Sequence, residues 1–382
     1  MKKPSGAKPR SIFEDVGPTG PAPAAPVRPR AAPSSRGAIA VWLGVLFALV
    51  VVMIAVGGLT RLTDSGLAIT EWAPVTGAVP PLDEAAWQAE FEKYQAIPQY
   101  ELQNQGMTLA EFKTIYWWEW GHRQLGRVIG AVWAIGFLWF LVRRRIPPGW
   151  TPRLLALGAL GGLQGAVGWW MVSSGLTGQM VSVASHRLAV HLGLAFLILG
   201  LIAWYVMSLS REEAELLQAR RQRNPGLMAW GTVLVVVAFA QILLGALVAG
   251  IDAGREFPEW PLMGGALVPP DAFALDPVWR NFTENAGLVQ FDHRLLGYVL
   301  FLLGAVAWLR SRGSALPDIR RAFAAMMLML AAQMALGVAT VLYAAPWQLA
   351  ILHQFGAVVL FVLILRARFA ALYPRVQKIA RG

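Results

Sequence analysis

Eight apolar stretches lay out the plan of this chain, at roughly 38–58, 122–142, 153–173, 187–208, 227–250, 293–310, 320–343 and 347–366. Each is about the length a helix needs to cross ~30 Å of hydrocarbon. Polar and charged positions gather between them, so the pattern predicts an all-α integral membrane protein with eight transmembrane helices. Two connections, 59–121 and 251–292, hold most of the acidic residues and are far longer than joints require. Loops of that size usually carry function. Residues 1–37 are rich in Pro, Ala, Arg and Lys without apolar periodicity and read as a disordered cytosolic tail.

Charge adds the orientation. With the N-terminus inside, 24 of the 33 Lys and Arg fall on the inner tails and short inner loops, as the positive-inside rule expects. An even number of spans returns the C-terminus to the same side, so both termini are expected in the cytoplasm. The net charge of +11 therefore reads as topology and not as a nucleic-acid surface. The 17 Trp suit the interfacial belts of a multispanning protein. Cysteine is absent, which excludes disulfides, thiolate metal sites, cysteine nucleophiles and c-type heme attachment.

The two halves repeat one another. Gly57, Gly66, Glu71, Trp72 and Gly77 recur as Gly245, Gly254, Glu259, Trp260 and Gly265, all at an offset of 188. His122, Arg123 and Gly126 recur as His293, Arg294 and Gly297, and Gln164 and Gly168 recur as Gln333 and Gly337. The expected organisation is two pseudo-symmetric four-helix bundles in parallel repeat. The first spans 38–210 with outer loop 59–121, and the second spans 227–370 with outer loop 251–292. A cytosolic linker, 211–226, joins them, and 371–382 form a second tail.

Four of the five histidines stand near the outer ends of the even-numbered spans. His122 lies 21 residues before the inner-edge Arg143 and His191 lies 20 before Arg211; His293 lies 17 before Arg310 and His353 lies 15 before Arg368. At about 1.5 Å per residue, the members of each pair differ in depth by a few ångström. Paired imidazoles at matched depth on neighbouring helices are what a bis-histidine heme requires. One histidine alone is more often a polar group satisfied at the interface; four in matched and repeated positions favour iron ligation. His186 competes with His191, but it is shallower, and His191 is the better match. Zinc fits less well, because neither HxxxH nor HExxH occurs.

Three arginines sit beside these histidines. Arg123 and Arg294 each follow one, and Arg187 precedes His191 by a turn, so all three are candidates for heme propionates, with interfacial snorkelling as the plain alternative. Glu119 precedes His122 by three residues, on the same helical face if the helix reaches that far, where it could act as a base or cation stabiliser. Otherwise it is an N-terminal helix acid favoured by the dipole. Its counterpart in the repeat is the uncharged Gln290, so the expectation is that one half does chemistry while the other carries electrons.

The runs GGLTRLTDSGLAITEWAPVTGAVPP (57–81), EFKTIYWWEWGHRQLGR (111–127), RLAVHLG (187–193), QFDHRLLGY (290–298) and LHQFGA (352–357) together resemble the heme A synthase family of cytochrome oxidase assembly. The resemblance covers nearly the whole chain after residue 37. It implies oxidation of one porphyrin methyl of heme O to formyl by successive hydroxylations, in the bacterial inner membrane. It further implies a resident heme b on His293 and His353, with substrate heme O flanked by His122 and His191 and Glu119 close to the reacting methyl. Heme O synthase and an electron acceptor of unknown identity are the partners it suggests, along with a homo-oligomer. Many relatives carry a cysteine pair in the first outer loop; its absence here excludes a thiol relay. The rivals are a diheme cytochrome b electron-transfer subunit and a heme transporter or chaperone. A prenyltransferase is disfavoured, since no Asp-rich DxxxD pair is present.

Overall fold

The computed structural model describes residues 35–375. The expectations for the N-terminal tail and for residues 376–382 therefore fall, almost entirely, outside the described residues. Twelve α-helices are present among those described: α1 (Arg36–Leu62), α2 (Glu84–Gln95), α3 (Pro98–Leu102), α4 (Leu109–Val142), α5 (Thr151–Val172), α6 (Ser185–Leu209), α7 (Glu213–Arg221), α8 (Pro225–Gly250), α9 (Asn281–Glu284), α10 (Ala286–Ser311), α11 (Pro317–Leu342) and α12 (Trp347–Leu372). Eight of them, α1, α4, α5, α6, α8, α10, α11 and α12, are long and apolar enough to cross a membrane. The all-α, eight-span architecture is the one the hydropathy pattern predicts.

Helix starts follow local chemistry. Asn224 and Asn285 cap α8 and α10 by accepting from Leu227 N and Leu288 N, at 3.0 and 2.9 Å. Pro225 and Pro317 occupy first-turn positions that need no N–H donor. The largest departure from the sequence reading is α4, which begins at Leu109 instead of residue 122. A reciprocal capping box starts it, with Glu111 N donating to Thr108 Oγ1 and Thr108 N to Glu111 Oε2. Aromatic residues carry the helix across what hydropathy alone marks as loop. His122 thus lies well inside a helix and not at its mouth.

The main apolar core runs continuously through both halves, from Ile39 and Leu43 on α1 through Phe196, Leu199 and Ile202 on α6 and Leu234 on α8 to Phe361 and Ile364 on α12. Of α6's most apolar stretch 44% is buried, against 11% for α4, α5 and α11. The middle of the molecule is therefore built around α6, while α4, α5 and α11 leave most of their surface uncovered. Arg36 is buried at the start of α1, where it donates to the Ser208 and Arg211 carbonyls at the end of α6, a favourable place for a cation. Arg211 Nη1 in turn donates to the Tyr373 carbonyl at 2.6 Å. At the other end of α1, Arg61 in its last turn pairs with Asp252 at 2.7 Å, tying this helix to the second long connection.

The first outer loop has its own core. Leu67, Ile69, Trp87, Phe91, Tyr94, Ile97, Phe112 and Tyr116 pack together over the outer extension of α4, with the rings of Phe91 and Tyr94 each against Phe112. The long connection is a folded cap held on α4 by burial of aromatic area.

Candidate functional site

Each of the four paired histidines lies against a glycine of the preceding membrane helix. A Cβ on Gly168 of α5 would come within 2.9 Å of His191 Cε1; on Gly245 of α8, within 3.1 Å of His293 Cε1; and on Gly337 of α11, within 3.0 Å of His353 Cε1. On Gly57 of α1 the nearest atom would be His122 Nε2, at 3.2 Å. The missing side chain is what lets each ring sit so close to a neighbouring backbone.

Three of the rings are also held by a glutamine one turn before that glycine. Gln164, Gln241 and Gln333 each donate Nε2 to the backbone carbonyl of their histidine, at 3.1, 2.9 and 2.8 Å. The same amide nitrogen lies 3.2 Å from the Nδ1 of His191, His293 and His353. At His191 and His293 it is also 3.3 Å from Nε2. A group nearly equidistant from both ring nitrogens at that range lies over the imidazole face, so the amide stacks on the ring and limits its rotation.

His293 and His353 face each other, with ring centroids 6.4 Å apart and planes at 77°. Metal–imidazole bonds of about 2 Å bring two ring centres to roughly 6 Å when one ion lies between them. The pair is therefore already spaced for a shared iron. Metal-bound imidazoles commonly donate their second N–H to an acceptor, and the Oε1 atoms of Gln164, Gln241 and Gln333 are buried acceptors without a partner among the described residues. Both observations fit heme ligation. Among the described residues no three of His, Cys, Asp and Glu converge as a metal cage. In the N-terminal half, His191 lies within electrostatic range of His122. His186 is exposed at the start of α6 and edges onto Trp170, ring centres 6.4 Å apart; the glycine and glutamine contacts go to His191.

Glu119 is buried, with 2% of its surface exposed. Its Oε1 accepts from Arg123 Nη2 at 2.6 Å and Nε at 3.0 Å, and its Oε2 accepts from Ile69 N at 2.8 Å. Arg123 also donates to the carbonyls of Ile69 and Glu71, at 2.8 and 3.0 Å. Acid and guanidinium together clip the outer cap to α4, one turn from His122. The second half has the corresponding clip without the acid: Arg294 Nη2 and Gln290 Nε2 donate to the Phe257 carbonyl, at 2.9 and 3.4 Å, and Phe257 is Ile69 displaced by the repeat offset. Arg187 donates to the Trp170 carbonyl at 2.7 Å and lies over that indole. All three arginines thus fasten backbone. Arg187 and Arg294 each retain a buried Nε–H without a partner among the described residues.

The glutamines are the residues that sequence reasoning left without a role. Gln164 and Gln333 stand out in the repeat, but nothing in spacing alone ties them to histidines on other helices. Gln241 escapes because its counterpart at the 188 offset is Met53. A further contact joins the halves: Gln354, next to His353, donates to the Ile54 carbonyl at 2.7 Å and fills the space a Cβ on Gly58 would need.

A family model described as cytochrome oxidase assembly protein matches residues 40–365. The heme A synthase of Dinoroseobacter shibae is 64% identical over 373 residues, covering 96% of this chain and 97% of its own length. The heme A synthase of Ruegeria pomeroyi is 62% identical, with 96% and 97% covered. That of Cereibacter sphaeroides (strain ATCC 17029 / ATH 2.4.9) is 61% identical, with 98% and 99% covered. Because the match takes in both histidine pairs, their glycines and the acid of the outer cap, this chain belongs to the cytochrome oxidase assembly protein family.

Proposed function

We propose that the chain is a heme A synthase of the bacterial inner membrane, oxidising one porphyrin methyl of heme O to formyl by successive hydroxylations. The observation that carries the reading is the 6.4 Å spacing of the His293 and His353 rings, in a chain whose full-length relatives are heme A synthases. In this reading His293 and His353 hold a resident heme b, and His122 and His191 flank heme O. Iron held there supplies the redox chemistry of methyl oxidation. The two bundles divide the work as 38–210 for substrate and 227–370 for the resident heme, joined by 211–226. With both termini in the cytoplasm, the histidines lie toward the periplasmic side.

The protein's own groups do the rest. The glycines admit the rings and the glutamine amides hold three of them in place. Glu119 keeps a negative charge one turn from His122 in a site its cap shields from water, where such a charge acts more strongly than in bulk solvent. It can stabilise positive charge or take a proton near the reacting methyl. Arg187 and Arg294 each offer a free Nε–H to propionate oxygens, and Arg123 shares its charge between Glu119 and the cap. Heme O synthase is the partner to be expected upstream.

Pigment identity tests the assignment. Hemes extracted from cells that express the chain and supply heme O should include heme A or its hydroxylated precursor by chromatography. Two unaltered hemes would mark an electron-transfer cytochrome, and one weakly held heme a transporter. A second expectation follows from the packing of α11 on α12. Gly337→Val places branched carbons where His353 Cε1 already lies 3.0 Å from a bare Cβ position. It should roughly halve the heme recovered per chain, read by pyridine hemochrome, because overpacking of this kind costs about 1–3 kcal/mol and falls directly on a ligand.

A further inference from the structure

The four histidine settings share a glycine on the preceding span, but only three of them share a glutamine one turn before it. On α5, α8 and α11 the sequence reads Gln-x-x-x-Gly, as Gln164–Gly168, Gln241–Gly245 and Gln333–Gly337; on α1 it reads Met53–Gly57. Met53 is the positional equivalent of Gln241 in space as well as in sequence. A Cβ on Gly126 of α4 would meet Met53 Cε at 3.5 Å, and a Cβ on Gly297 of α10 would meet Gln241 Nε2 at 3.3 Å. A thioether has no N–H for the His122 carbonyl and only a weak acceptor for its ring, and Met is flexible packing. Among the described residues no hydrogen bond restrains the His122 ring, whereas the other three rings each lie against an amide nitrogen.

The rings respond differently. His191, His293 and His353 each present Cε1, then Nδ1, to their glycine, whereas His122 presents Nε2. The one ring without a clamp is also the one turned another way, with its outer nitrogen against α1.

Resting on the heme reading above, we propose that Met53 is a positioning residue that makes His122 the releasable ligand of the N-terminal site. The three glutamines make their histidines fixed ligands. One half then exchanges its iron porphyrin, as a substrate site must, and the other retains it, with the difference set by a single side chain. Loss of an outer-shell partner of a metal ligand typically changes affinity 10- to 100-fold, enough to separate a substrate from a prosthetic group.

The test is a reciprocal exchange on the full-length protein, loaded with heme in detergent or nanodiscs. Heme loss to excess apomyoglobin is followed by absorbance, alongside the low-spin bis-histidine spectrum. The unaltered protein should lose heme in a fast and a slow phase. Met53→Gln should slow the fast phase at least 10-fold, and Gln241→Met should speed the slow phase by a similar factor. Met53→Leu, which adds no amide, should leave the fast phase where it was. Two phases that neither exchange moves would overturn the proposal while leaving the heme sites standing. Absence of any bis-histidine spectrum in the unaltered protein would instead remove the heme reading beneath it. Should Met53→Gln fail to accumulate, the Gln241→Met rate decides alone.

Discussion

Glu119→Gln is expected to leave the protein folded and loaded with heme while cutting heme A formation by about 100-fold or more. Glutamine keeps the shape and one acceptor oxygen, for Arg123 or for Ile69 N, while it replaces the other oxygen with an NH2 and removes the charge; Gln290 already holds the same position beside Arg294 in the second half. Alanine is a poorer test, because Arg123 would then be left without the partner it meets at 2.6 Å, and stranding one member of a buried pair costs about 3–5 kcal/mol. The measurement is heme A per unit of protein by chromatography, with hemochrome content as the control. Normal yield from the glutamine variant would confine Glu119 to clipping the cap onto α4.

His293→Ala carries the other large effect. The resident low-spin heme spectrum should disappear, with about one heme per chain lost, because one imidazole cannot replace two ligands preset at 6.4 Å. Heme A formation should fall with it. His186→Ala, on the exposed first turn of α6, should change neither. An unchanged spectrum in the His293 variant would mean that the histidines are paired differently.

The eight spans were legible because lipid imposes a simple requirement: every backbone polar group must be satisfied within the segment, so apolar runs of about 20 residues can be little else than helices. The facing of His293 and His353 was legible because few polar groups enter such spans, and depth can be counted from the arginines that close them. The outer extension of α4 was not, since Tyr116, Trp117, Trp118 and Trp120 alternate with Glu119 and Lys113 and give hydropathy little to follow. What makes it a helix is the Thr108–Glu111 cap at one end and the aromatic packing of the first outer loop along its side. The glutamine clamps were hidden for another reason. Gln164 and His191 belong to different helices, and only tertiary packing decides that the amide lands on that ring. The Met53 exception was nevertheless open to inspection, as the one break in a motif that otherwise recurs on every odd-numbered span. The arginines show the limit of residue type as a guide: a guanidinium beside a histidine suggests an anion, but Arg123 spends most of its donors on Glu119 and on the cap's own carbonyls.

Gly57 and Gly58 are consecutive on α1, and they touch different things: the first meets the His122 imidazole and the second the Gln354 amide, the immediate neighbour of His353. A tilt or slide of this helix by a fraction of an ångström therefore reaches both centres together, like a rocker arm with a follower on either side. Widening one cleft to pass a bulky flat molecule would be felt mechanically at the other.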